Sequence, residues 1–271
     1  MPKPPRSDRP SRPGSRPGRH QPGGSGIWLY GTHAVLAAVA NPARRIRRLA
    51  AAEGARERLQ AAAATAPLAR PAVEACERRA LEALLPPGAV HQGMAALAAP
   101  LPELSLQDLL DRLKDDGRRV RLVVLDQATD PRNVGAVIRS AAAFSAAAVL
   151  TQDRHAPSAT GALVKAAAGG LERVPLVAVV NLARALRALQ EAGFCCIGLD
   201  AEAELTLAAL PRADRVALVL GSEGRGLRRL VRESCDTLAR IPIATDSESL
   251  NLSAAAAIAL YELAREAGDD G

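Results

Sequence analysis

Residues 120–139 read VRLVVLDQATDPRNVGAVIR, and a change of period inside that stretch decides the fold class. Val120–Asp126 is short, β-branched and apolar, the signature of a buried strand. Asp130 followed by Pro131 is a good N-cap and first-turn pair. Val134, Ile138 and Ala141 then recur at helical spacing and give the next segment an apolar stripe. The same strand-to-helix rhythm continues downstream. Strands are expected at Ala147–Thr151, Val174–Val180, Cys195–Leu199, Arg215–Leu220 and Thr237–Ile243. Helices are expected at Thr160–Ala168, Leu182–Ala192, Leu227–Glu233 and Leu250–Ala267. Alternation of this kind predicts a mostly parallel sheet covered by helices on both faces. Ligands of such sheets bind beyond the carboxyl ends of the strands. The loops after Leu125, Leu220 and Ile243 are therefore the places to look for chemistry.

Upstream, residues 27–99 read as a smaller α/β unit. Thr32 is placed to cap a helix carrying Val35, Leu36 and Val39 that ends near Asn41-Pro42. A strand is expected over Arg45–Ala51, helices over Arg56–Ala64 and Val73–Leu85, a turn at Pro86-Pro87-Gly88 and a strand over Val90–Ala98. Residues 100–118 form a linker with one short helix around Leu106–Leu113, and the larger unit occupies 119–271.

The chain of 271 residues is 48% apolar but only 2% aromatic, so its core must be aliphatic. No apolar run approaches the ~18 residues of a membrane span. The four cysteines show neither CxxC nor framework spacing, which argues against a disulfide scaffold or a zinc–cysteine site. Net charge is +6, unevenly placed: residues 1–26 hold six Lys/Arg against one acid, and residues 101–271 are net acidic. With seven Pro and five Gly, residues 1–26 read as a disordered basic arm rather than a secretory signal, and the expectation is a cytoplasmic protein. A basic arm beside a basic small domain suits a polyanion such as nucleic acid. An Arg-rich, Lys-poor composition is equally what a GC-rich genome produces, and the arm is equally a solubilising tail.

Three loops at strand ends carry unusual residues. In the first, Arg132 and Arg139 lie seven positions apart on one helix face, a pairing that suits phosphate oxygens, and Asn133 sits in the first turn. The bland alternative is a solvated helix face behind a capped start. The second, Leu220-Gly221-Ser222-Glu223-Gly224-Arg225-Gly226, joins a strand to a helix with three Gly in six residues. It lacks both GxGxxG and GK[ST], so it is no phosphate loop of known type. It is either a backbone that a ligand approaches closely, with a carboxylate at the site, or a flexible connection. The third runs from Ile241-Pro242-Ile243 to Ser249-Leu250-Asn251-Leu252-Ser253, with Ser249 as a plausible N-cap and Asn251 in the first turn.

Taken together, Asn133–Arg139, Val219–Gly226, and Ile241–Ile243 with Ser249–Ser253 resemble, in order and spacing, the three motifs of the SpoU (TrmH) branch of the SPOUT RNA methyltransferases. The resemblance covers about 119–267. Tyr30-Gly31-Thr32-His33-Ala34-Val35 and His91-Gln92-Gly93 are similar to the family's small substrate-binding domain, which is like ribosomal protein L30e. That resemblance implies an α/β-knot domain, with a mostly parallel sheet and a C-terminal trefoil knot, preceded by an L30e-like domain. It implies S-adenosylmethionine as cofactor, with Gly221, Ile241 and Leu250, flanked by Leu220 and Ile243, lining its pocket. It places Asn133, Arg139, Glu223, Ser249 and Asn251 around a reacting ribose, and the helical spacing of Arg132 and Arg139 makes that pair the candidate for RNA phosphates. The resemblance implies a homodimer and the subgroup that methylates a guanosine ribose in the peptidyl-transferase P-loop of 23S rRNA, free or in a precursor particle; the sequence offers no ligand cluster for a metal and no apolar run for a membrane.

None of the four His lies in the three motifs, and the family assigns activation of the 2′-hydroxyl to Arg139. A guanidinium pKa above ~12 makes a free-base Arg costly at neutral pH, so binding of the neighbouring phosphate and stabilisation of an emerging alkoxide is the role favoured for Arg139. Glu223 is expected to hold Arg139 or Asn133 in place. Cys195 and Cys196 read as small core residues, His91 as structural, and Trp28 and Tyr30 as packing residues. Two other readings compete. One is the same chemistry on tRNA. The other is a non-catalytic RNA-binding ribosome-assembly factor, which would have no need of Asn133, Arg139, Glu223 and Asn251 together.

Overall fold

The computed structural model describes residues 26–114, 119–155, 161–244 and 249–265. The expected arm, apart from Gly26, the last residues of the linker and the end of the final helix lie outside them.

The N-terminal unit runs β1 (Ile27–Tyr30), α1 (Thr32–Ala40), β2 (Ile46–Ala51), α2 (Glu53–Ala64), β3 (Val73–Ala75), α3 (Arg78–Ala83) and β4 (Met94–Ala98). Its sheet has the order β1-β4-β2-β3, antiparallel except for the β2–β3 pair. Two expectations are corrected here. The segment 73–85 is not one helix. Val73–Ala75 pairs with Leu49–Ala51 as an edge strand, and only Arg78–Ala83 is helical. The β-branched start of that segment finds a strand partner, and tertiary pairing overrides the helical spacing. Ile27–Tyr30 adds a further strand, paired with Ala95–Ala98. Thr32 does not cap α1: Gly31 occupies the N-cap, and the Thr32 amide donates to Gln92 Oε1 at 3.0 Å.

After α4 (Leu106–Leu113) comes the larger unit: β5 (Val120–Leu125), α5 (Pro131–Ala143), β6 (Ala148–Gln152), α6 (Gly161–Ala167), β7 (Leu176–Val179), α7 (Leu182–Glu191), β8 (Cys195–Leu199), β9 (Arg215–Leu220), α8 (Arg229–Glu233), β10 (Thr237–Ala239) and α9 (Leu252–Arg265). The six strands are all parallel in the order β10-β8-β9-β5-β6-β7. In β5, Leu122, Val123, Val124 and Leu125 are fully buried, and alternate residues serve opposite layers. Val123 and Leu125 pack with α5, α6 and α9, whereas Leu122 and Val124 pack with α4, α7 and α8. Each such side chain stabilises by roughly 1.5–3 kcal/mol. Cys196 is buried in β8, and burial pushes its thiol up to about 12, in keeping with an inert core residue.

The strand order places the site. From β5 the sheet grows outward through β6 and β7, and then the chain crosses back to lay β9 against the other side of β5. Leu125 and Leu220 are register partners, and the Asp126 amide donates to the Leu220 carbonyl at 2.8 Å. The loops after β5 and β9 therefore leave the sheet side by side, at the point where its order reverses.

Candidate functional site

Each of the three sequence loops starts at a strand end for a local reason. Asp130 Oδ1 accepts from the Arg132 amide at 2.9 Å and Pro131 opens α5, so the helix begins immediately beyond β5 with Asn133 in its first turn. After β9, the loop folds back on itself: the Gly226 amide donates to the Ser222 carbonyl at 3.0 Å. A Cβ on Gly221 would overlap the Gly226 carbonyl group and the Leu227 nitrogen, so only glycine fits there. The far end of the loop is tethered by Asp126. That carboxylate is fully buried and accepts from the Arg228 amide at 2.9 Å and from Arg228 Nε at 2.8 Å. Arg228 Nη2 also reaches Gln152 Oε1 at 2.9 Å. In the third loop, the cap of α9 is Asn251 rather than Ser249. Asn251 Oδ1 accepts from the Ser253 amide at 2.9 Å, because α9 starts at Leu252 and leaves Ser249 two positions too early.

The three loops converge on one carboxylate oxygen. Glu223 Oε1 accepts from Asn133 Nδ2 at 2.8 Å, Asn251 Nδ2 at 2.6 Å and the Leu252 amide at 3.2 Å. Asn251 Nδ2 also lies 3.3 Å from Asn133 Oδ1. Three donors on one charged acceptor make a strong local fixture. Glu223 holds Asn133 as expected, but it makes no ion pair with Arg139. Arg139 and Arg132 are both exposed on α5, without a side-chain partner among the described residues.

Beside this triangle lies a cleft of about 530 Å³. Its lining includes Leu220, Gly221, Ile241, Ile243 and Leu250, together with Glu223 and Ser249. Asn133, Arg139 and Asn251 are outside it, so the expected residues divide into a cleft set and a polar set with Glu223 in common. Its size is that of a small-molecule site. The backbone of the glycine loop and the aliphatic side chains suit a purine. The carboxylates of Asp200, Glu202 and Glu223 suit the positive charge of S-adenosylmethionine, so the residues present fit that cofactor. Asp200 is not among the residues that the sequence motifs mark. Burial pushes its carboxyl up, but hydrogen bonds from Arg232 (2.6 Å) and the Glu202 amide, with the Arg232 charge, outweigh this and hold it below the usual carboxylate range. Nor do those motifs mark the tethering role of Asp126. In both cases the available signal was an acid directly after a buried strand. No cluster of potential metal ligands and no helix long and apolar enough to cross a membrane occurs among the described residues.

Comparison with known proteins gives the chain's relatives. The model of the SpoU rRNA Methylase family matches residues 121–261, and that of the RNA 2′-O ribose methyltransferase substrate binding domain matches residues 28–104. The chain is similar to the 23S rRNA (guanosine-2′-O-)-methyltransferase RlmB of Pseudomonas syringae pv. tomato, at 39% identity over 88% of this chain and 95% of that protein. A Synechocystis protein described as an "uncharacterized tRNA/rRNA methyltransferase" is 39% identical over 89% of this chain, which spans 63% of that longer relative. Among solved structures, the SpoU methyltransferase AviRb from Streptomyces viridochromogenes in complex with AdoMet superposes with a TM-score of 0.70. It is 25% identical and covers 90% of this chain and 91% of its own.

Proposed function

The chain belongs to the SpoU rRNA Methylase family, and from that premise we propose that it transfers a methyl group from S-adenosylmethionine to the ribose 2′-hydroxyl of a guanosine in 23S rRNA. The single observation that carries this reading is the meeting of Asn133, Glu223 and Asn251, from three strand ends, at the lip of a cleft that fits the cofactor. The peptidyl-transferase P-loop is the proposed target, in free rRNA or a precursor particle, within a cytoplasmic protein. The proposed division is an arm at 1–26, a substrate-binding domain at 27–99, a linker at 100–118 and a knotted methyltransferase domain at 119–271.

When bound, S-adenosylmethionine supplies a methyl carbon on a cationic sulfur, which a ribose 2′-oxygen takes by in-line displacement as the carbon–sulfur bond breaks. The protein supplies position and charge. The Gly221 backbone, Leu220, Ile241, Ile243 and Leu250 hold the nucleoside, and Ser249 lies at the same wall. Glu223 Oε1 fixes the two amides, which are thereby presented rigidly toward the ribose. Its Oε2 has no protein donor among the described residues and is available to a hydroxyl. Arg139, with Arg132 one face-repeat away, binds the phosphate next to the target. Its guanidinium stabilises the alkoxide while the proton leaves through that phosphate or water.

A homodimer is part of the proposal. It is supported by Ile258 and Tyr261, 43% and 54% exposed on α9, and by the openness of Arg139, Glu223 and Asn251 in a single chain. Sedimentation at micromolar concentration tests it, and a monomer would rule it out.

The deciding experiment is transfer of labelled methyl from S-adenosylmethionine to separated 23S rRNA, 16S rRNA and tRNA, with Arg139→Ala beside the unaltered chain. The expected result is label in one 23S guanosine, reduced ~10²–10³-fold in the variant. Label in tRNA would keep the chemistry and change the substrate. Tight RNA binding with no label would favour the assembly-factor reading.

A further inference from the structure

Glu172 lies far in sequence from every motif, yet its carboxylate is buried beneath the N-terminal domain. Arg44 Nε donates to both Glu172 oxygens at 3.0 Å, and Arg44 Nη2 reaches Oε1 at 2.5 Å. Asn41 Nδ2 donates to Oε2 at 2.7 Å. The Arg44 and Glu172 side chains are 2% and 4% exposed. Arg44 Nη1 also ties the Ala99 carbonyl, where the linker begins, at 2.8 Å. The turn that presents Asn41 and Arg44 is itself fastened. Arg70 donates to the carbonyls of Val39, Arg44 and Asn41 at 2.9, 2.8 and 2.7 Å.

The backbone around Glu172 is equally constrained. Gly169 has φ +89°, and a Cβ there would lie 2.7 Å from the Ala37 Cβ and 3.0 Å from the His33 carbonyl oxygen of α1. On the other side, a Cβ on Gly170 would lie 3.0 Å from the Ile138 carbonyl oxygen. Ile138 immediately precedes Arg139 on α5. One short turn, Gly170–Glu172, is thus gripped by the N-terminal domain and seated on the helix that carries Arg139.

We infer that Arg44, Asn41 and Glu172 form an inter-domain clamp that fixes the substrate-binding domain relative to Arg139, and so helps determine which nucleotide reaches the methyl group. The physical ground is that a buried ion pair contributes little net stability compared with an apolar pair of similar volume. What it imposes is geometry, because a slide of one domain by a few ångströms breaks all of its directional bonds at once. These residues are positioning residues: they touch neither the proposed cofactor cleft nor Arg139 itself. The inference rests on the proposed methyl transfer for its functional half only.

The test compares Glu172→Gln and the double variant Arg44→Met/Glu172→Met with the unaltered full-length chain. The double variant replaces the pair by apolar side chains and is expected to fold. Three readouts are taken: calorimetric affinity for S-adenosylmethionine, KM and kcat for 23S rRNA with mapping of the methylated nucleotide, and hydrogen exchange. In both variants kcat/KM for RNA should fall about 10–100-fold, through KM, with label spreading to neighbouring nucleotides. Cofactor affinity should stay within about twofold. Amides of 41–45 and 169–174 should lose protection together while β5 and β9 keep theirs. The clamp is overturned if the double variant methylates the same nucleotide with unchanged KM, if cofactor affinity falls in parallel, or if the two turns exchange independently. An unaltered chain that methylates no RNA would count against the proposed function, and the exchange arm, which needs no substrate, would still decide whether the clamp exists.

Discussion

Gly221→Ala is the sharpest test of the cofactor cleft, because its consequence follows from one steric fact. The added methyl would overlap the Gly226 carbonyl group and the Leu227 nitrogen. Reaching an ordinary contact of about 3.5 Å requires the two limbs of the loop to separate by roughly 1.5 Å. The loop cannot yield freely. It is closed by the Gly226–Ser222 hydrogen bond and tethered where the Arg228 amide meets the buried Asp126. Overpacking of this kind costs about 1–3 kcal/mol. Since the displaced backbone is a wall of the cleft, much of that cost should appear as lost cofactor affinity, a rise in Kd of about 10–100-fold. Gly224→Ala is the control. Gly224 has φ +76° but open space around its Cα, so alanine meets strain of roughly 1 kcal/mol and no collision. Calorimetric titration with S-adenosylmethionine and thermal unfolding of both variants make the comparison. Unchanged affinity in Gly221→Ala, or equal losses in the two variants, would refute the assignment of this loop to the cofactor.

Glu223→Gln leaves the shape but weakens three bonds to Oε1, and Glu223→Ala removes them. Methyl transfer should fall by about 10-fold and ~10²–10³-fold respectively, with kcat carrying the loss in single-turnover assays, and equal rates would remove Glu223 from the centre. Arg232→Met should cost stability at neutral pH that disappears in acid. The folded pKa of Asp200 is depressed, so its contribution is present above the unfolded value near ~3.9 and is lost as pH falls through the folded one. With Arg232 47% exposed, solvent screens the pair and the deficit should be a small loss of Tm at pH 7 that vanishes as pH falls through the folded value of Asp200; a deficit independent of pH would contradict the pairing. Deleting residues 1–26, with their six basic side chains, should weaken RNA binding and flatten its dependence on salt by up to ~4 in log–log slope. Unchanged binding would assign the arm to solubility.

What was legible in the sequence followed from local causes. The β5–α5 unit could be read because a continuous apolar strand, an Asp-Pro cap and a helical stripe all agree over twenty residues. Val73–Leu85 could not, because the fate of Val73–Ala75 depends on Leu49–Ala51 offering an edge, a non-local pairing that no window contains. The misplaced cap has the same origin in miniature. Ser249 and Asn251 both belong to the capping types, and only the start of α9 at Leu252 decides between them. In the site, residue types marked Asn133, Glu223 and Asn251 as candidates and the family resemblance grouped them, but neither told that one oxygen gathers the two amides and the Leu252 N–H. Asp126, Asp200 and Glu172 were invisible for a further reason: each is a carboxylate whose partner is an arginine distant in sequence, in a chain that has 35 basic residues to choose from.

The arrangement also says which functions can be separated by mutation. One loop does two jobs: its backbone from Gly221 to Gly226 walls the cleft, and its Glu223 side chain aligns the amides of α5 and α9. A perturbation that moves the loop must therefore alter cofactor affinity and turnover together. Asn133 and Arg139 sit on α5 outside the cleft, so their removal should lower turnover and leave cofactor affinity alone. Asp126 lies between these classes. It touches neither cleft nor triangle, yet it holds Arg228 at the point where the loop re-enters the fold. Asp126→Asn keeps the shape and loses the charge, so it should loosen the loop and reproduce, in weaker form, the joint defect of Gly221→Ala. If Asp126→Asn instead depressed turnover alone, the loop would not be the element that couples the two halves of the site.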